Sequence, residues 1–230
     1  PRVHARAVAD ATGGQAGVVD VGSADEITAM LERVERAHGP IDVLCNNAGI
    51  SQPRAPLDQV PPETFARVMA INVTGVYNGL VTFAGDMRER RSGHIVNTAS
   101  MNGLIAFGTF AAYSGSKFAV TGMSEALRDE LAPFDVGVSI LFPGLTRSRM
   151  SLGDAQAGFI PREVIEAGMM EPIWLGRAVV RAIEENNLYI VSHPEHRPQV
   201  EERVRNVLAA FAEPAQPGYR GRTGGGPIAT

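Results

Sequence analysis

A phenol and an ammonium stand four residues apart in Tyr113-Ser-Gly-Ser-Lys117, and the hydroxyl of Ser100 lies thirteen residues before the tyrosine. On a helix, positions i and i+4 share a face, one turn apart. Ser100 follows a strand-like run, Ile95-Val96-Asn97. A hydroxyl, a phenol and a lysine are what interconversion of a carbonyl and an alcohol needs. A free tyrosine has a pKa of about 10 and is a poor base at neutral pH. A lysine charge about 4 Å away, at an effective dielectric of about 20, is worth roughly 4 kcal/mol, or about 3 pKa units. The phenol would then titrate near working pH, where general acid–base catalysis is most effective. Ser100 could hold and polarise the substrate oxygen. The pair alone also reads as a solvated helix face with an i,i+4 contact, so its weight rests on the elements that position it.

Those elements alternate. Residues 3–12 read as a helix ended by Gly13-Gly14. Ala16 to Val21 reads as a short buried strand closing on Asp20 and Val21. Ser23 to His38 is a helix with Ser23 as N-cap, Glu26 completing a capping box, and Ile27, Met30, Leu31 and Val34 as the apolar stripe. Ile41 to Cys45 is a strand that runs into Asn46-Asn47-Ala48-Gly49, where small and amide residues permit a sharp turn and close approach of a flat ligand. Pro61 to Arg91 is one long helix or two abutting ones, with Asn72 among apolar neighbours, a costly place unless its amide is bonded. His94 to Thr98 and Val136 to Phe142 are strands, separated by a helix over Ser116 to Leu131, and Pro143-Gly144 ends the second of them. Leu145 to Pro172 is expected to be irregular and more mobile than the sheet, a candidate lid. A helix over Trp174 to Asn187, a strand over Leu188 to Val191 and a helix from His193 to about Ala212 complete the pattern, and residues 213–230 form a Gly/Pro-rich tail expected to be loose.

Alternation of this kind argues an α/β fold: a doubly wound parallel sheet in a three-layer α/β/α sandwich, one domain over residues 1–212. In such sheets ligands gather at the carboxyl ends of the strands, where Asp20, Asn46, Ser100 and Pro143-Gly144 all fall.

The chain has 230 residues, 44% hydrophobic, and a formal net charge of −4, so it advertises no basic surface for nucleic acid or anionic membrane. The one cysteine, Cys45, sits in an apolar run and is expected at a buried strand position. It cannot close an intrachain disulfide, which fits a reducing compartment, and the expected location is the cytoplasm. No apolar run approaches the roughly 20 residues of a membrane helix. His193-Pro-Glu-His196 offers an incomplete ligand set, so no metal is expected, and Pro194 there suits the start of a helix. Met101, Phe107, Phe110, Met150, Phe159, Met169 and Met170 cluster in the loops around the candidate site and suggest an apolar substrate pocket, with plain core as the alternative for each.

Asp20-Val21, Asn46-Asn47-Ala48-Gly49, Asn72, Ser100, Tyr113 to Lys117 and Pro143-Gly144-Leu-Thr-Arg-Ser148, in this order and spacing, resemble the short-chain dehydrogenase/reductase family over about Val18 to Tyr189. The resemblance implies a Rossmann-like fold, an NAD or NADP cofactor, and alcohol–ketone or aldehyde interconversion on a small apolar substrate. It implies that Tyr113 exchanges a proton with the substrate oxygen, that Lys117 lowers the tyrosine pKa and holds the nicotinamide ribose, and that Ser100 binds the substrate oxygen. Asn72 would hold a water relaying protons to Lys117. Asp20 and Val21 would meet the adenine, and Asn46, Ala48 and Gly49 would line the adenosine side. Pro143, Gly144, Thr146 and Ser148 would hold the carboxamide end, with Asn102 and Met150 beside the substrate. The family usually has valine or isoleucine where Thr146 stands and threonine where Ser148 stands. Helices around Phe65 to Arg91 and Ser116 to Leu131 would build a homodimer or homotetramer.

The family begins with a strand, a Gly-rich turn onto a helix and a second strand, and that turn presents backbone N–H groups to the cofactor pyrophosphate. Here the matching residues begin after that unit, so the expectation is a member lacking its first β-α-β unit. Thr12-Gly13-Gly-Gln-Ala-Gly17 is a decoy, because it precedes a strand rather than a helix and lies too close to Asn46. The choice between NAD and NADP belongs to the end of that second strand and is unreadable. Two functions stay open: an NAD(P)-dependent oxidoreductase, and a noncatalytic relative that acts as an oligomerising scaffold.

Overall fold

The computed structural model describes residues 2–211 apart from 157, 159, 161 and 167. Within it the chain forms two compact units, one ending at Pro194 and one beginning at Glu195. The first holds a four-stranded, all-parallel sheet in the order β1 (Val43–Asn46), β2 (Gly93–Thr98), β3 (Val136–Phe142), β4 (Tyr189–Val191). The helices of this unit are α1 (Arg2–Thr12), α2 (Ala24–His38), α3 (Pro62–Met69), α4 (Gly75–Arg90), α5 (Ala111–Leu131), α6 (Arg149–Gln156), α7 (Arg162–Glu166) and α8 (Pro172–Glu184). The second unit holds α9 (Arg197–Ala209). The tail from residue 213 lies outside the described residues.

The inner strands of the sheet are covered on both faces. Every residue of β3 is buried, the pattern of a strand with helices above and below. Asn97 of β2 bonds Ser124 of α5 (2.9 Å) and pairs in register with Ile140, so that face meets α5. Leu141, the next residue of β3, points the other way. It packs with Leu175 and Ala182 of α8 and with Ile190 of β4. Residues 62–90 run as one helical stretch, long and apolar enough by length and composition to cross a membrane. Its residues Val68, Val76, Leu80, Phe83 and Met87 are buried in this unit, and α4 packs against β1 and β2.

Several expectations change. Ala16 to Val21 is not a strand, because a strand needs a neighbour for its N–H and C=O groups. No described strand lies beyond β1, which forms the sheet edge, and Val18 is largely exposed. Asp20 therefore sits on a turn, where its carboxylate accepts from Gly22 N–H (2.9 Å), and not at a strand end. Cys45 is exposed, for the same reason that β1 is an edge. The stretch from Leu145 to Pro172 is not wholly irregular: it carries α6 and α7, and Thr146 bridges to Met170. At α2 the Ser23 hydroxyl caps Glu26 N–H (3.3 Å) as expected, but the Glu26 carboxylate takes Asp20 N–H (2.8 Å) rather than closing the box on Ser23.

Candidate active site

The site forms where β1, β2 and β3 end. Tyr113 and Lys117 lie on one face of α5, and the Lys117 Nζ stands 5.6 Å from the centroid of the Tyr113 ring. Lys117 is 4% exposed and donates to Thr98 O at the end of β2 (2.9 Å). Burial pushes its pKa down from 10.5 to about 8. An ammonium has three N–H donors. With one on Thr98 O, others remain to meet a ligand hydroxyl.

Ser100 follows β2 and is held by the turn after β3. Its hydroxyl donates to Pro143 O (3.4 Å) and accepts from Asn102 N–H (3.2 Å). The loop from Ser100 to Gly103 is drawn onto α5: Asn102 Nδ2 donates to Ser114 Oγ (2.9 Å), and a Cβ on Gly103 would stand 2.9 Å from Lys117 O. Only glycine permits that approach. The contact sets Ser100 beside the helix that carries Tyr113 and Lys117.

Asn72 sits in a widened π-turn, residues 70–74, between α3 and α4, where Gly75 N–H reaches back to Ala70 O. Such turns inside helices mark functional positions. The side chain is fully buried and bonded: Oδ1 accepts from Ile50 N–H (2.8 Å), and Nδ2 donates to Ile50 O (2.9 Å) and to Ser116 Oγ (3.0 Å). A Cβ placed on Gly49 would lie 3.4 Å from Asn72 Oδ1 and 3.5 Å from Lys117 Nζ, so both polar atoms face one small space beside Gly49.

A separate cavity of about 140 Å³ opens on the β1 side, lined by Val19, Val21, Leu44, Asn46, Ala48 and Gly75 among others. Val21, Asn46 and Ala48 thus line one cavity, and Asp20 and Gly49 are not among its lining residues. Asn46 also donates through Nδ2 to Asn97 Oδ1 (2.9 Å), which fixes the amide. The lining is mostly apolar, which suits a flat ring system better than a charged group. A buried cation with donors to spare, and an apolar slot at the adjoining strand end, fit a dinucleotide's ribose and adenine. The Thr12 to Gly17 stretch leaves α1 and enters no helix, so it has no phosphate-loop geometry.

Other expected residues are placed differently. Ser148 bonds within its own turn: Ser151 N–H donates to Ser148 Oγ (3.1 Å), and Ser148 N–H to Ser151 Oγ (2.9 Å). Met150 is exposed on α6. Met101 is buried core, and Met170 packs against the Leu141 and Leu175 cluster, so neither is free to line a substrate pocket. Phe159 lies outside the described residues. Thr146 donates through its hydroxyl to Gly144 O (3.3 Å).

The sequence reading missed Gln52. It is 2% exposed; its Oε1 accepts from Tyr113 N–H (2.9 Å), and its Nε2 faces Thr109 O (3.3 Å). Tyr113 is in the first turn of α5, whose N–H groups have no intrahelical partner. A glutamine 61 positions away therefore caps the helix at the candidate catalytic residue. Only a buried amide near Gly49 could have hinted at it.

Comparison with known proteins finds relatives in both sequence and fold. A family model described as short chain dehydrogenase matches residues 5–156. A probable oxidoreductase, EphD, of Mycobacterium tuberculosis is 42% identical over 129 residues, covering 56% of this chain and 22% of the relative. A 3alpha-hydroxysteroid dehydrogenase of Mediterraneibacter gnavus is 36% identical over 152 residues, covering 66% of this chain and 58% of the relative. The chain thus spans about a fifth of the first relative and somewhat over half of the second. A putative short-chain dehydrogenase structure from Novosphingobium aromaticivorans superposes with a TM-score of 0.78 at 33% identity, covering 93% of this chain and 77% of the other. A short chain dehydrogenase/reductase from Burkholderia phymatum, in complex with NAD, superposes at 0.79 with 25% identity, covering 94% and 84%.

Proposed function

Because this chain belongs to the short-chain dehydrogenase family, we propose that it is an NAD(P)-dependent oxidoreductase that interconverts a small apolar alcohol and its ketone or aldehyde. The observation that carries the reading is the buried Lys117 ammonium stacked 5.6 Å from the Tyr113 ring on one face of α5. When bound, the dinucleotide supplies or removes the hydride. Tyr113 gives the substrate oxygen a proton in reduction and takes it in oxidation. Lys117 stabilises the phenolate form by its charge and offers its remaining donors to the nicotinamide ribose. Ser100, whose Oγ is held by Asn102 N–H, turns its single O–H from Pro143 O to the substrate oxygen when substrate binds. Asn72 Oδ1 and Lys117 Nζ face one space beside Gly49, and a water held between them would refill the proton. Val21, Asn46 and Ala48 take the adenine end. Asp20 and the turn at Pro143, Gly144, Thr146 and Ser148 are assigned to the cofactor as well, and Asn102 and Met150 to the substrate side.

Phe65, Tyr77 and Val81 expose apolar surface on α3 and α4, which supports a homodimer or homotetramer built on those helices. Mixing the 230-residue chain with NADH or NADPH and following nicotinamide fluorescence tests the reading. Saturable binding of one of them, with reduction of at least one apolar ketone in a panel, is expected. Binding of neither would overturn the oxidoreductase and leave the oligomerising scaffold.

A further inference from the structure

The Pro143–Gly144 peptide is held at both ends. Its carbonyl, Pro143 O, accepts from Met101 N–H (2.9 Å) and from the Ser100 hydroxyl (3.4 Å). Its N–H, on Gly144, donates to His193 Nδ1 (3.0 Å). A trans peptide is planar, with C=O and N–H pointing in opposite directions, so whatever fixes one end fixes the other.

His193 is built for this. It follows β4, is 6% exposed, and turns its Nε2 to Leu145 O (3.3 Å). With Gly144 N–H on Nδ1 and a carbonyl on Nε2, the network assigns the neutral tautomer with its proton on Nε2. The neighbouring Ser192 hydroxyl lies 2.7 Å from Nδ1 and 3.3 Å from Phe142 O. Glycine at 144 is forced by the same contact, since a Cβ there would come within 2.4 Å of the His193 ring. The turn after β3 and the second residue after β4 are therefore matched to each other across 49 positions.

We propose that His193 is a positioning residue: through the Pro143–Gly144 peptide it orients the Ser100 hydroxyl and holds the turn that leads to Thr146. Its importance for turnover rests on the reading of Ser100 and of that turn given above. Without an acceptor at Nδ1 the peptide is held at its carbonyl end alone and its plane can tilt. The Ser100 and Met101 donors then lose a fixed partner, and Thr146, bonded to Gly144 O, moves with the turn.

The test compares His193→Phe, which keeps ring bulk but has no acceptor, with His193→Asn, whose amide oxygen can stand near the Nδ1 position. Amide hydrogen exchange at Gly144 and Met101 is read first, since it needs no cofactor. In His193→Phe both amides should exchange at least about tenfold faster, and His193→Asn should restore most of the protection. Cofactor Kd, by nicotinamide fluorescence, should rise about tenfold in the first variant, the loss expected from one hydrogen bond, with kcat falling as Ser100 is released. A destabilised but correctly oriented site would instead lower the melting temperature and leave Met101 exchange, relative to β3, where it was. Should His193→Phe not fold, His193→Gln replaces it. Its amide reaches the Nε2 position and not Nδ1, so the same outcomes apply. Unchanged Gly144 and Met101 exchange overturns the proposal, as does an Asn variant as impaired as the Phe variant. If exchange responds as expected while the parent binds neither NADH nor NADPH, the orientation of the peptide stands and the oxidoreductase reading falls.

Discussion

An ammonium taken out of water resists charging, and Lys117 shows the cost: its pKa falls from 10.5 to about 8. Below about pH 8 both the folded and unfolded chains hold the proton, and the burial penalty is carried in full, at about 3 kcal/mol. Between about 8 and 10.5 the folded chain has released a proton that the unfolded chain still binds, so stability rises with pH across that window. Lys117→Met should therefore be more stable than the parent at pH 7 by up to about 3 kcal/mol, with the advantage shrinking by pH 10. Urea midpoints at the two pH values check this; a variant less stable than the parent at pH 7 would contradict it. Under the proposed mechanism that cost is what places a cation beside Tyr113. The tyrosine–lysine pair was legible from residue type and i,i+4 spacing alone. Burial of the lysine was not, because it depends on packing against the end of β2, where Thr98 O accepts its hydrogen bond. The local bond at Ser148 was not legible either: its Oγ accepts from Ser151 N–H, a partner set by the start of α6.

At the scale of elements, helices were the legible part. The apolar stripe and Ser23 cap located α2, and the long stretch over residues 61–91 resolved into α3 and α4 joined by the π-turn that turns Asn72 inward. Pairing was less legible. Residues 16–21 have strand composition and no strand neighbour, a fact of topology that local sequence does not carry. The α5 N-terminus is the element most open to test. Gln52→Leu leaves the Tyr113 N–H without its acceptor and should cost about 1–3 kcal/mol, with a fall in kcat as the first turn of α5 frays. Gln52→Glu keeps an acceptor at a helix N-terminus, where negative charge is favoured, and should lose less. Chemical denaturation and steady-state kinetics measure both. Equal losses in the two variants would show that the acceptor is not what matters.

At the scale of the whole molecule, the inner strands β2 and β3 form the buried centre of the sheet, and the proposed site lies at the strand ends. Amide exchange should be slowest in β3, whose seven residues are all buried, and faster across residues 145–172. Equal protection in the two stretches would contradict that ranking. The alternation of strand and helix made the three-layer architecture readable, because each apolar run is short and bounded by glycine, proline or a cap. The peptide linking Ser100 to His193 was not readable, since it joins ends of strands that only the folded sheet brings side by side. The central claim is that a phenol, tuned by a buried cation, moves the proton. It is tested most directly by measuring kcat and cofactor Kd together in Tyr113→Phe. The account predicts that turnover is lost while cofactor binding stays within about threefold of the parent, because the hydroxyl acts in the transition state and not in holding the dinucleotide. Turnover equal to the parent's would contradict it.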